Sequence, residues 1–242
     1  MCIRDSLCSE ESSWYNKRGK DNLMKDRVSC AAGFLAALCL IIILLITSVE
    51  AVCYWLPGYF AHEYDKHAVL EDVHMEREDL LRVTDHMMGY LRGDKEQLQI
   101  TASIEGIETT FFNQREIDHM KDVKDLFVGA LKLRRICLIL CAAAVCLIWK
   151  LGRMWRLPKI LCAGVGIVLG IAVAMAVVIS TDFTKWFTVF HHIFFDNDLW
   201  ILNPATDRLI NIVPEPFFID TALNIAVIFA LSLGVLLSLI HI

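Results

Sequence analysis

The chain has 242 residues, 56% of them hydrophobic, with a formal net charge of −5 and a mean hydropathy of +0.51. An ordinary soluble domain is about 45–50% apolar, and here the excess is concentrated in four blocks. The acidic balance, with basic clusters only beside those blocks, also excludes nucleic acid as a partner.

The two ends are set aside first. MCIRDS at residues 1–6 and LSLIHI at 237–242 read as translations of the two strands of one DNA tag, resembling a sequencing-library transposon end. Such scars do not enter fold reasoning. Residues 1–23 are therefore expected to be a non-native tail, Met24 a native start, and Cys2 and His241 without function.

The four blocks are read as membrane spans, since a crossing takes roughly 20 mostly apolar residues. They run from Val28 to Val49, Leu133 to Trp149, Leu157 to Ser180 and Thr221 to Leu237. The first is too long for a signal-peptide core and reads as a retained helix. Lys17, Arg18, Lys20, Lys25 and Arg27 precede block one, and Lys150, Arg153, Arg156 and Lys159 join blocks two and three. Cytoplasmic loops are enriched in Lys and Arg, which predicts cytoplasmic termini and an outward face for residues 54–132 and 181–220. Lys132, Arg134 and Arg135 oppose that assignment and are outvoted.

The expected fold is an all-α membrane protein with four transmembrane helices. Span one covers 24–53, spans two and three cover 133–180 with a short cytoplasmic link, and span four covers 221–242. A largely helical extracytoplasmic segment, 54–132, separates spans one and two; an interfacial aromatic loop, 181–220, separates spans three and four.

Within the first outer segment, sixteen acids stand against eight Lys and Arg between Trp55 and Ala130. Val69, Leu70, Val73, Leu80, Leu81, Val83, Met87, Met88 and Leu91 recur at three- and four-residue steps, the mark of an amphipathic helix. Arg92-Gly93-Asp94 ends it, with Gly93 as C-terminal cap. Residues 97–110 read as a turn or a short β-prone piece. At Asn113 a new helix begins, with Glu116 three residues on as in a capping box. Arg115, His119, Asp122 and Leu126 then share one face of that helix. Gly164 to Gly170, inside span three, has the small-residue spacing of helix packing in lipid.

The second outer segment holds FHHIFFDNDLWILNPATDRLINIVPEPFF, residues 190–218. Phe190, Phe194, Phe195, Trp200, Phe217 and Phe218 suit a membrane–water interface, where aromatic rings are enriched. Asn203-Pro204 and Pro214-Glu215-Pro216 signal turns. His191, His192, Asp196, Asp207 and Glu215 are the polar groups such an interface does not keep without reason.

No hydrolase elbow, phosphate loop or dinucleotide fingerprint is present, and no cysteine pair has metal or redox spacing. His62, Glu63 and His67 approach a zinc-protease motif, but five residues separate the two histidines and turn them about 140° apart on a helix. No metal and no cofactor is expected.

FFNQREIDHMKDVKDLF (111–127), the 190–218 stretch, and four spans with a large outer segment after the first together resemble the bacterial lipoprotein intramolecular transacylase family of Gram-positive origin. The resemblance covers residues from Met24 to the end of span four, and its specific part is the two motifs. It implies an acyltransferase of the bacterial cell membrane, active at the outer face, whose substrates are diacylated lipoproteins among membrane lipid. The reaction the resemblance implies is transfer of the sn-2 acyl chain of the diacylglyceryl-cysteine onto that cysteine's α-amino group. The resemblance places the catalytic histidines at His119 and His191, and assigns no role to His192. One is expected to be the base, with His191 preferred, and the other its partner, oriented by an acid such as Asp122. Arg115, Glu116, Asp207 and Glu215 are expected to pin the two outer segments together. Tyr59, Tyr64 and Tyr90 are further residues near a possible site, and the oligomeric state is left open. The readings from other classes are a non-catalytic membrane accessory or sensor protein and a metal-dependent membrane hydrolase.

Overall fold

The computed structural model describes the backbone of residues 2–241 and the side chains of residues 19–240. The side chains of the tail expected at 1–23, up to residue 18, and of His241 lie outside the described residues. The chain divides into two units. One comprises residues 1–43, 136–170 and 233–242, the other residues 44–135 and 171–232.

The first unit is built from helices alone: the start of α1 (Cys2–Glu50), the end of α5 (Gln114–Lys150), the start of α6 (Leu157–Thr181) and the end of α9 (Glu215–His241). Small residues set its packing. Ala32, Ala36, Ala144 and Ile148 are buried together. A Cβ on Gly33 would stand 2.6 Å from Ile160 Cδ1, so any larger residue there would make the Ile160 side chain shift. Of the small-residue run in span three, Gly164 makes a close approach, 3.2 Å from a built Cβ to Ala37, whereas Gly166 and Gly170 have nothing within 4 Å. The basic link has a partner as well as a topological meaning: Arg153 Nε and Arg156 donate to Asp26 at 2.6 and 2.8 Å. All seven cysteines among the described side chains are free.

Among the described residues, three helices are long and apolar enough to cross a membrane: Gly19–Trp55, Met154–Thr181 and Glu215–Ile240. Helix α5, which holds the expected second span, falls short by composition. Arg134, Arg135 and Lys150 leave only Ile136 to Trp149 free of charge, less than the roughly 20 residues of a typical crossing. Arg134, counted against the topology, is paired with the buried Glu50 carboxylate.

The second unit holds the remaining elements: a π-helical turn (Ala51–Trp55), α2 (Tyr59–Lys66), α3 (Val69–Val73), α4 (Arg77–Arg92), strands β1 (Thr101–Ile104) and β2 (Ile107–Thr110), α7 (Phe183–Phe194) and α8 (Leu209–Ile212). The expected amphipathic helix is present with its apolar face inward: Leu80, Val83, Met87, Met88 and Leu91 of α4 are buried, and Gly93 closes it at φ 93°. The helix does not run unbroken from Val69. His74 adopts the left-handed conformation (φ 52°), and Met75 forms a bridge to Ile104, so the chain leaves helical geometry to meet the hairpin.

The β-prone piece is an antiparallel hairpin, the one departure from an all-helical fold among the described residues. Ile104 pairs with Ile107 across Glu105-Gly106, both at positive φ, as a two-residue hairpin turn requires. The buried core of this unit joins Tyr64, Leu80, Val83, Met87, Leu98 and Phe111 to Met120, Leu209, Ile212 and Phe217. Elements far apart in the chain are thereby packed around one apolar centre.

Candidate active site

Helix α5 starts as its sequence predicts. Asn113 Oδ1 accepts the Glu116 N–H at 3.0 Å, and Glu116 Oε2 accepts the Asn113 N–H at 2.7 Å, a reciprocal capping box. Glu116 does more than cap. Its other oxygen takes the Leu209 N–H at 2.5 Å, and its side chain is fully buried. Burial pushes this carboxyl upward, against the pull of the backbone N–H groups that favour the charged form. One turn on, His119 faces the same interior and is 7% exposed.

Helix α7 supplies the second histidine. Asp182 caps it by accepting the Lys185 N–H at 3.0 Å. His191 in its last turn is likewise 7% exposed. Its Nδ1 lies 2.7 Å from the Phe187 carbonyl oxygen. A carbonyl only accepts, so Nδ1 carries the proton and Nε2 keeps a free lone pair.

The two imidazoles stand 6.3 Å apart between ring centroids, inclined at 35°. Phe195 packs against both, at 5.5 and 5.6 Å. Trp200 stacks on His191 at 4.7 Å, and Phe187 covers it at 4.2 Å. This apolar cover desolvates both rings. Burial, and then the neighbouring His191, push His119 down to about 4. Burial also lowers His191, against the raising effect of the Phe187 carbonyl. Both rings are neutral at pH 7, the form in which an imidazole accepts a proton. Two polar atoms in this shell are buried without a hydrogen-bond partner: His119 Nδ1 and Trp200 Nε1.

The depressed His119 predicts how stability varies with pH. The unfolded chain takes up a proton near 6.5 and the folded chain only near 4, so the folded form is favoured fully above 6.5 and loses that advantage as pH falls towards 4. The melting temperature in detergent should therefore drop across this window, and His119→Gln should flatten the drop. An equal slope in wild type and variant contradicts the burial of a neutral His119.

The other residues singled out in the sequence fall in different places. Asp122 does not orient His119 by a hydrogen bond; its Oδ2 accepts from Asn197 Nδ2 at 2.8 Å. Arg115 donates to the Asp198 carbonyl. Asp207, 4% exposed, accepts from Asn113 Nδ2 at 2.7 Å and from the Asn203 N–H at 2.6 Å. Burial alone would raise its carboxyl, but these donors hold it below the usual range. Arg115, Asp122, Glu116 and Asp207 thus all link the first outer segment to the second. Glu215 does not: it accepts from Thr184 at 2.7 Å, joining the starts of α9 and α7 within the second segment. His192 is exposed, edge-on to Trp200 at 5.3 Å. Tyr59 bonds Thr221 at 2.7 Å, Tyr64 bonds Thr84 at 2.6 Å, and Tyr90 lies under Lys124; no aromatic contact brings any of the three to the histidines.

Sequence reasoning missed Asn197 and Arg208, whose guanidinium bonds the Thr110 and Phe111 carbonyls at 2.7 and 3.0 Å. It also read Trp200 only as an interfacial ring. Nothing local marks these residues, because their partners lie 75 to 98 positions away.

Three solved structures match nearly the whole chain, all of the membrane integral lipoprotein intramolecular transacylase Lit from Bacillus cereus. One has a TM-score of 0.74 at 19% identity, covering 89% of this chain and 95% of that one. Its histidine-to-alanine variant matches with a TM-score of 0.73 at 19% identity (90% and 94% covered), and its histidine-to-arginine variant with 0.68 at 19% (96% and 95%). At that identity the likeness establishes the fold. No curated protein sequence matches. The profile of the lipoprotein intramolecular transacylase Lit matches residues 34–218, a stretch that contains the span-one core, the capping box, both buried histidines and the aromatic cover, and the chain belongs to that family of membrane acyltransferases.

Proposed function

We propose that this enzyme moves the sn-2 acyl chain of a lipoprotein's diacylglyceryl-cysteine onto the α-amino group of the same cysteine, with His191 as proton carrier. The observation that carries this reading is the 2.7 Å contact between His191 Nδ1 and the Phe187 carbonyl oxygen, which assigns the proton to Nδ1 and leaves Nε2 available as base.

The amine nitrogen attacks the ester carbonyl carbon, and Nε2 takes the proton it sheds. The tetrahedral intermediate collapses by breaking the bond to the glycerol oxygen, which receives that proton from the imidazolium. An amide has formed, an ester has broken, and no proton is gained or lost. The oxyanion of the intermediate needs donors in a dry site. Neutral His119 and the Trp200 indole N–H supply them, since His119 Nδ1 and Trp200 Nε1 lack protein partners. Donor and acceptor share one molecule, so the protein's contribution is orientation and proton transfer, and no covalent acyl-enzyme is needed. Arg115, Glu116, Asp122 and Asp207 act by positioning: they hold the loop that carries His191 against the helix that carries His119. Glu215 fixes the start of α7 itself.

In the membrane, α5 serves as a fourth crossing, with Arg134 neutralised by Glu50 at its outer end. Both termini then face the cytoplasm, and the histidines lie at the extracytoplasmic interface where acyl chains enter among Phe190, Phe194 and Phe195.

A crossover experiment tests the intramolecular step. Two diacylated lipopeptides of different sequence, one with deuterated acyl chains, are incubated together with the enzyme. Each N-acylated product should carry only its own label. Scrambled labels would show transfer between molecules, and free fatty acid would show hydrolysis; either overturns the reading.

A further inference from the structure

A second polar cluster lies outside the acyl-transfer machinery. Glu63 and His67 stand four residues apart near the end of α2 and so share one helical face, while Asp220 comes from the second turn of α9. His67 Nε2 is 3.4 Å from Glu63 Oε2 and 2.6 Å from Asp220 Oδ2. One ligand atom from each of the three falls within 4.8 Å of the others. Neither His119 nor His191 belongs to this group.

The neighbours do not account for all of this chemistry. Lys66 Nζ reaches Asp220 Oδ2 at 2.6 Å, and His67 lies against that same oxygen. Glu63 is 2% exposed, and its Oε2 is buried with no hydrogen-bond partner. The His67 imidazole at 3.4 Å is the one ion-pair neighbour of that oxygen among the described residues, and a bound cation would offset the cost of burying the carboxylate. The sequence pairing of His62 with His67 concealed the site, because the pair with the right helical spacing is Glu63 and His67.

We propose that Glu63, His67 and Asp220 form a binding site for a divalent cation of the zinc class. One imidazole nitrogen and two carboxylate oxygens are a donor set that zinc accepts, with water in the remaining position. The ion joins α2 to the start of α9. That start also carries Phe218, 5.2 Å from Phe187, which in turn covers His191 and accepts its Nδ1–H. The role is therefore structural: the ion steadies the element against which the acyl-transfer histidine is held. This inference does not depend on the acyl-transfer reading.

The test uses the full chain in detergent, stripped with chelator, repurified and titrated with zinc. Wild type should retain one zinc per chain by elemental analysis, and its melting temperature should rise by about 5–10 °C at a hundredfold excess over the dissociation constant. Glu63→Gln and His67→Gln should lose at least about nine-tenths of that zinc. Lys66→Met, which removes the competing ammonium, should bind zinc more tightly. Equal zinc content in wild type and Glu63→Gln overturns the proposal. If the variants do not fold, an unshifted wild-type melting temperature on adding zinc overturns it without them, leaving the cluster as an ion-pair clamp.

Discussion

Replacing His191 with alanine should lower acyl transfer about a thousandfold, within the range general acid–base groups supply, while the protein still folds. The size of the effect follows from two jobs done by one atom. Nε2 removes the proton from the attacking amine and returns it to the departing glycerol oxygen, and no other group shown in the site has a lone pair fixed for both. His191→Gln separates chemistry from packing. Glutamine fills most of the space between Phe187 and Trp200 but cannot carry a proton, so its loss of rate should match that of alanine with a smaller change in melting temperature. His119→Ala should cost less, about a hundredfold, as expected for removing one oxyanion donor. Initial rates on a diacylated lipopeptide check all three. A glutamine variant within tenfold of wild type would remove His191 from the chemistry.

Glu116→Ala should be the most damaging change away from the histidines. Glu116 satisfies two backbone donors with no exposure to water, one at the start of α5 and one at Leu209 of the other outer segment. Leaving each buried N–H without an acceptor costs about 1–3 kcal/mol. In a chain of this size, that sum lowers the melting temperature by on the order of 10 °C. Glu116→Gln should not rescue it, because one carboxylate oxygen becomes an NH₂ group facing an N–H. Activity should fall with stability, since this carboxylate joins the helix of His119 to the loop that follows His191. Thermal unfolding in detergent reads the result; a loss under about 2 °C in the alanine variant would mean that the junction is held elsewhere.

The local part of this architecture was legible from residues. The capping box at Asn113 and Glu116, the inward face of α4 and its stop at Gly93 all follow from side chains acting within one turn of their own backbone. The break at His74 was not legible, because it is set by a bridge from Met75 to Ile104 across the fold. The same reason hid the partners of the acids. Asp122 was expected to serve a histidine and instead holds Asn197; Glu215 was expected to join the two outer segments and instead joins α7 to α9. Periodicity cannot say which of several carboxylates a distant loop will reach. The charge count behind the topology was ambiguous for a related reason: Arg134 has its counter-ion in Glu50, 84 residues earlier.

The most direct measurement is tandem mass spectrometry of the N-terminal lipopeptide of a diacylated lipoprotein after incubation with wild type, His119→Ala and His191→Ala. Transfer within one molecule leaves the parent mass unchanged, so the fragment ions decide. The expected result is the N-acyl, S-monoacylglyceryl form with wild type and only the starting diacylglyceryl form with His191→Ala. If His191→Ala gives as much N-acylated product as wild type, proton transfer through this histidine is wrong; if folded wild type gives none, so is the acyl-transfer chemistry assigned to the site.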